Sequence, residues 1–177
     1  MWIVLGVLVA ALVVLLVVIA LQPAAFQIER AAEVGASPAT VFALLDDFHA
    51  WSRWSPWEKL DPSMTKAYEG AGVGATYAWE GNSKAGAGRM TMLAITPPDS
   101  LSIRLEFLKP MVATNTARFE LTPTSNGTRV RWVMTGERNF GMKAFALFVN
   151  VDKLVGKDFE AGLAAMVAVV RADAPRP

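Results

Sequence analysis

Apolar and polar positions alternate from Phe26 to Val34, with Phe26, Ile28, Ala32 and Val34 on one side and Gln27, Glu29 and Glu33 on the other. A period of two predicts a strand with one buried face. Arg30 falls on the apolar side, and its expected place is the sheet end, where a long side chain snorkels out near the membrane. In "GASPATVFALLDDF", Ser37 has the chemistry of a helix N-cap and Pro38 that of a first helical residue, which predicts a helix over Pro38–Asp47. Six further strand patterns follow from Met64, among them "MTKAYEG", "GATYAWEG" and "GAGRMTMLAITP". "SLSIRLEFL" alternates throughout, and "VATNTARFELTP" and "TRVRWVMTGE" flank Asn126-Gly127, a hairpin signal expected to form a type I′ turn. Asn126-Gly127-Thr128 is also a glycosylation sequon; the turn is the preferred reading.

The period then changes. Phe145, Phe148, Val151, Val155, Phe159, Leu163, Met166 and Val170 recur every three or four residues, which predicts one long amphipathic helix. Such a helix needs a sheet to lie on. The order β–α–(six β)–α, with short turns between neighbouring strands, predicts an α+β fold. Its seven-stranded antiparallel sheet should have the C-terminal helix covering the concave face.

The first residues obey neither period. Trp2 to Leu21 carries no charge and no polar side chain. At helical rise it spans roughly 30 Å, the thickness of a bilayer core. A cleaved signal peptide is the rival, but no basic residue precedes the apolar run and "LQPAAF" is a poor cleavage site. The expected organisation is therefore a transmembrane anchor over residues 1–22, a linker over 23–25, a folded domain over 26–172 and a tail over 173–177. The expected location is the cell membrane, single-pass, with the side of the membrane left open.

Composition removes several function classes. The 17 basic and 16 acidic residues give a net charge of +1, without the clustered basic face that a nucleic-acid partner requires. The absence of cysteine excludes thiolate catalysis, disulfides and zinc-thiolate sites. The single histidine, His49, reads as a surface or capping residue at the end of the first helix. No metal site and no cofactor are expected. The glycines of "EGAGVGA" and "KAGAGRM" open no helix and precede no Gly-Lys-Ser/Thr, so they read as turns and bulges of a bent sheet.

The order of "ASPATVFALLDDF", "WSRWSPW", "YEGAGVGATYAWEGN", "GAGRM", "FLKP" and "GTRVRWVMTG" over residues 26 to 172 resembles the polyketide cyclase/dehydrase-like branch of the SRPBCC superfamily. The resemblance implies the helix-grip fold of START and Bet v 1 domains: a strongly curved sheet gripping a long helix around an apolar cavity. It implies no single chemistry, since members bind lipids, hormones or polyketides and a minority catalyse cyclisation or dehydration.

Phasing the strands by their charged residues places Tyr77, Trp79, Met92, Asn115, Phe119, Trp132 and Met134 inward, faced by Phe159 and Leu163 of the helix. With Trp57 these are the candidate ligand-binding residues, because Met and aromatic side chains suit an adaptable apolar wall. The same residues also serve as ordinary core. Catalytic residues are not assigned: Glu106, Glu120 and Glu137 fall on the outward phase, and Glu80 ends a strand near the expected mouth. Trp51, Trp54 and Trp57 lie in a stretch that Pro56 keeps from continuing as a helix, and plugging one end of the core is their expected role. The functional expectation is a membrane-anchored domain binding a hydrophobic small molecule or lipid. Alternatives are a cyclase/dehydratase-type enzyme and a structural module with a packed interior. The oligomeric state is open.

Overall fold

The computed structural model describes residues 1–174. The chain begins with α1 (Trp2–Leu21). It ends where Gln22 turns extended ahead of Pro23, since the residue before a proline disfavours the helical region. Ile19 is the one buried residue of α1, so this helix is no part of the domain core. It is long and apolar enough to cross a membrane.

Seven strands follow: β1 (Ala25–Val34), β2 (Thr65–Glu69), β3 (Thr76–Glu80), β4 (Ala87–Thr96), β5 (Ser100–Lys109), β6 (Ala113–Thr124) and β7 (Gly127–Glu137). They form one sheet in the order β1-β7-β6-β5-β4-β3-β2, and every pair is antiparallel. Register shifts at Ala87/Gly88 and Met92/Ala94 interrupt the β4–β5 ladder, and bulges of this kind bend a sheet. The helix α4 (Val151–Asp173) lies on the inner face, mainly against β1. This is the covered antiparallel sheet that the strand and helix periods predict, and the helix-grip architecture that the resemblance implies.

One end of the inner face is closed by the segment between β1 and β2. Ser37 caps α2 (Pro38–Phe42) by accepting from the Thr40 amide at 3.3 Å. The helix is shorter than the expected Pro38–Asp47, because Asp47 caps the next element instead. Its Oδ1 accepts from the His49 amide at 2.8 Å and starts a 3-10 turn over Phe48–Arg53. Trp51 and Trp54 are buried there, and their indoles donate to the carbonyls of Leu45 (3.1 Å) and Leu44 (2.8 Å). Both rings pack edge-on against Phe119 of β6. Burial of each such side chain contributes ~1.5–3 kcal/mol, so the tryptophan stretch is a plug of the core.

Three further expectations need correction. The β6–β7 loop is Ser125-Asn126, with Thr124 paired to Gly127. Gly127 takes φ of 140°, but among the described residues no non-glycine has positive φ, so the type I′ turn does not form. Arg30 sits mid-strand, opposite Trp132 in register, and not at the sheet end. Its guanidinium donates to Glu160 (2.8 Å) and Asp152 (3.1 Å) of α4 and rivets helix to sheet. The C-terminal helical stripe is also broken. Asn139 caps α3 (Phe140–Ala146), and Asn150 caps α4 by accepting from the Lys153 amide at 2.9 Å. Phe145 and Phe148, predicted to lie on the long helix, precede it and are exposed. The tail expected over 173–177 begins where α4 ends at Asp173, and residues 175–177 lie outside the described residues.

Candidate functional site

The inner face of the sheet holds one continuous aromatic cluster. Trp132 of β7 stacks on Phe159 of α4, with centroids 4.1 Å apart and planes 5° apart. Trp57 meets both rings edge-on, at 5.6 Å and 6.2 Å. Phe119 packs against Trp132 at 4.7 Å. Met92, Leu163 and Met134 are buried in the same cluster. The close approach of α4 needs glycine: a Cβ on Gly162 would stand 3.0 Å from the Trp132 ring, and one on Gly156 would strike the Arg30 guanidinium. Of the predicted lining residues, the fold thus gathers Trp57, Met92, Phe119, Trp132, Met134, Phe159 and Leu163. Trp79 packs at the margin of this core, against the buried Tyr77 (6.0 Å) and Phe107 (6.1 Å), with its indole donating to the Ala85 carbonyl at 3.1 Å.

Burial changes along the strands. On β5, Leu101 and Ile103 are 2% and 0% exposed, whereas Leu105 and Phe107 are half-buried. On β3, Tyr77 is buried and Trp79 half-buried. On β1, Val34 and Ile28 are buried and Phe26 is half-buried. The loose end is in each case the end at which β1 leaves α1. There the Asn115 amide, itself 5% exposed, donates weakly to Met134 Sδ at 3.8 Å. Its Oδ1 has no partner. Gly136 makes room for it, since a Cβ there would stand 2.1 Å from that oxygen and 3.0 Å from the Phe26 ring. Trp132 Nε1 is the other buried side-chain atom without a partner among the described residues. Buried polar atoms are nearly always paired, and these two stand out from the apolar face around them. Phe26 and Gly136 also border a surface depression with Ala25, Gln27, Thr135 and Glu137; a second lies among Ala31, Ala32, Glu33, Thr124 and Arg129. None of the predicted lining residues forms the wall of either.

A polar cluster stands beside the aromatic one. The Tyr77 hydroxyl donates to Glu58 Oε1 at 2.6 Å, and Lys66 pairs with the other carboxylate oxygen. Tyr68 stacks on Tyr77 at 4.8 Å, and His49 stacks on Tyr68 at 4.1 Å. Burial, reinforced by the Glu58 carboxylate, holds the Tyr77 hydroxyl well above the usual tyrosine range. The group is therefore a hydrogen-bond donor and not a base near neutral pH. Glu58 is not among the residues singled out in the sequence. The available signal was its spacing within "SPWEK", where a turn started by Pro56 carries Trp57 and Glu58 together toward the interior. His49 is exposed, with Nδ1 2.9 Å from Asp47. Glu80 is exposed and ion-paired with Lys109 at 2.7 Å. Glu120 is held on the outer face by Arg131 (2.6 Å) and Arg118 (2.9 Å), and Arg131 also binds Glu29. Among the described residues no cluster of His, Asp and Glu has the arrangement of a metal site.

Solved structures share this architecture. A Rhizobium leguminosarum protein aligns with a TM-score of 0.64 at 10% identity, over 86% of this chain and 98% of that one. A Staphylococcus aureus protein of unknown function gives 0.63 at 10% identity, over 85% and 96%. The Aha1 dimer from Colwellia psychrerythraea gives 0.54 at 17% identity, over 83% and 95%. At such identities the likeness is one of fold. No curated protein matches the chain. Residues 25–171, from the first residue of β1 to within two residues of the end of α4, match the family described as "Polyketide cyclase / dehydrase and lipid transport". With that match spanning every element of the grip, the chain belongs to the polyketide cyclase/dehydrase and lipid transport family.

Proposed function

We propose that this chain is a membrane-anchored binding domain that takes up a hydrophobic small molecule or lipid on the inner face of its sheet, entering at the end nearest α1. The observation that carries the reading is Asn115: a buried amide with an unpaired oxygen, set in the half of the inner face where the apolar side chains are loosely covered. An apolar wall with a few placed polar atoms is the usual make-up of a small-molecule site. Trp79, Leu105, Phe107 and Met134 would supply the wall, Asn115 the orienting hydrogen bond, and the cluster of Trp57, Trp132 and Phe159 the floor. The family description includes lipid transport beside cyclase and dehydrase. An α1 that stays on the mature chain would keep this opening beside the bilayer.

A photoactivatable diazirine fatty acid, irradiated with the full chain in membranes, tests the proposal. Adducts on the peptides carrying Trp79, Phe107 or Met134, reduced in Asn115→Leu, are expected. Adducts confined to Trp2–Leu21 would remove the binding function and leave a packed structural module.

A second reading rests on the Tyr77–Glu58–Lys66 cluster. It is the one set of ionisable side chains, among the described residues, in contact with the inward phase of β3. In a cyclase or dehydratase it would place a proton donor at the edge of the bound molecule. Tyr77→Phe separates the two readings, since it leaves fatty-acid capture intact and removes only turnover.

A further inference from the structure

We infer that the end of the domain nearest α1 is a membrane-seating surface, in which the β5–β6 loop and α3 dip their apolar side chains into the lipid headgroup layer. The inference rests on α1 being a membrane span.

Antiparallel pairing brings the start of β1, the end of β7, the start of β6 and the end of β5 to one end of the sheet. Two apolar segments project there. The first is Leu108, Met111 and Val112, with Val112 71% exposed. The second is Phe140, Phe145 and Phe148, with Phe148 82% exposed. At the opposite end, among the described residues, the loops expose one large apolar side chain, Val73. Apolar exposure of this kind concentrated at one end marks an interaction surface and not random scatter.

The bilayer is the occupant because of what α3 touches. It packs against α1, whose buried residue is Ile19, and Lys143 Nζ donates to the Ala20 carbonyl at 3.2 Å. Ile19 and Ala20 belong to the last turn of α1, about 3 Å from its end at helical rise. With α1 across the bilayer, α3 sits at headgroup depth, where the exposed Phe140 and Phe145 can meet the acyl boundary and Lys143 the headgroups. Arg138 and Lys143 stand in sequence near the exposed apolar side chains. Their stems can lie on the acyl boundary with the charges at phosphate level. Arg138 already lies over the Phe26 ring, 5.3 Å from its centroid.

The chain has no cysteine, so single substitutions can carry a nitroxide. The full chain is reconstituted in phosphatidylcholine–phosphatidylglycerol vesicles with labels at Val112→Cys or Phe148→Cys, and with Val9→Cys and Val73→Cys as references. Power saturation then compares oxygen with a water-soluble nickel chelate. The expected ratio of oxygen to nickel accessibility at Val112 and Phe148 lies above that at Val73 and below that at Val9. Values equal to those of Val73, with Val9 in lipid, overturn the seating and leave the anchor standing. Labels shielded from both reagents mean a protein partner covers the surface, which also overturns it. An aqueous Val9 removes the span and the seating with it.

Discussion

The rings of Trp132 and Phe159 lie parallel, 4.1 Å apart, and join the sheet to α4 at the centre of the aromatic cluster. Trp57 closes the edge of that stack, so shortening Phe159 would open a cavity between Trp132 and Trp57. Phe159→Ala is expected to cost ~3–5 kcal/mol, the range for emptying a buried aromatic site. In urea the midpoint should fall while the slope stays the same. A loss under 1 kcal/mol would mean that the stack contributes little to the core.

The Arg30–Gly156 contact predicts a non-additive pair. Alanine in the middle of a helix is favoured over glycine by about 1 kcal/mol. At position 156, however, its Cβ would meet the Arg30 guanidinium and push it from Asp152 and Glu160. Gly156→Ala is therefore expected to destabilise in the native background and to stabilise when combined with Arg30→Ala. A double-mutant cycle measures the coupling, and additive effects would contradict the contact.

Asn150 should be worth about 1 kcal/mol as the cap of α4. Asn150→Ala frees the Lys153 amide, whereas Asn150→Asp keeps an acceptor there and is expected to preserve the melting temperature. Equal melting temperatures for the two variants would show that α4 needs no cap at Val151.

Tyrosine titration supplies a pH test. The chain has two tyrosines, and both are held above the ordinary value of 10.0, chiefly by burial and secondly through Glu58. The unfolded chain loses these protons first as pH rises, so it binds fewer protons than the native one and stability falls with rising pH above about 10. Below that range both states are protonated and the contribution is constant. Absorbance at 295 nm should show less phenolate at pH 10 than the unfolded chain does, then a cooperative rise that coincides with the loss of tryptophan structure. A gradual titration at the ordinary value, with the fold intact, would place both hydroxyls in water.

Much of the fold was legible because its strands are solvated on one face, and that prints charge on alternate residues. In β5, Arg104 and Glu106 mark the outer phase and leave Leu101, Ile103 and Leu105 inward. The helix boundary at Val151 was hidden for the opposite reason. Phe145 and Phe148 continue the apolar stripe across the break, and the contrary signals are two asparagine caps, Asn139 and Asn150. Arg30 announced itself as an anomaly, but its partners Asp152 and Glu160 lie 122 and 130 residues away and no local pattern names them. Glu58 drew no notice because a carboxylate in a polar turn looks solvated until the fold sets Tyr77 and Lys66 against it. The aromatic stack follows from the phase of β7 and α4, whereas the loosening of the inner face toward α1 depends on how far each loop extends.

Gln22, Pro23 and Ala24 are the entire connection between α1 and β1. It is held at both sides, by the Arg138 amide on the Ala24 carbonyl and by Lys143 on Ala20. Three residues reach about 10 Å even when fully extended. With α1 in a bilayer, the domain therefore cannot swing out to collect cargo from the aqueous phase or hand it to a distant membrane. Under the function proposed above it would be a fixed station, with its traffic in the plane of the membrane. A lipid site held that close would meet its ligand at an effective concentration in roughly the millimolar range, as a tethered module meets its partner, so weak affinity would suffice to fill it and fast release would be kept.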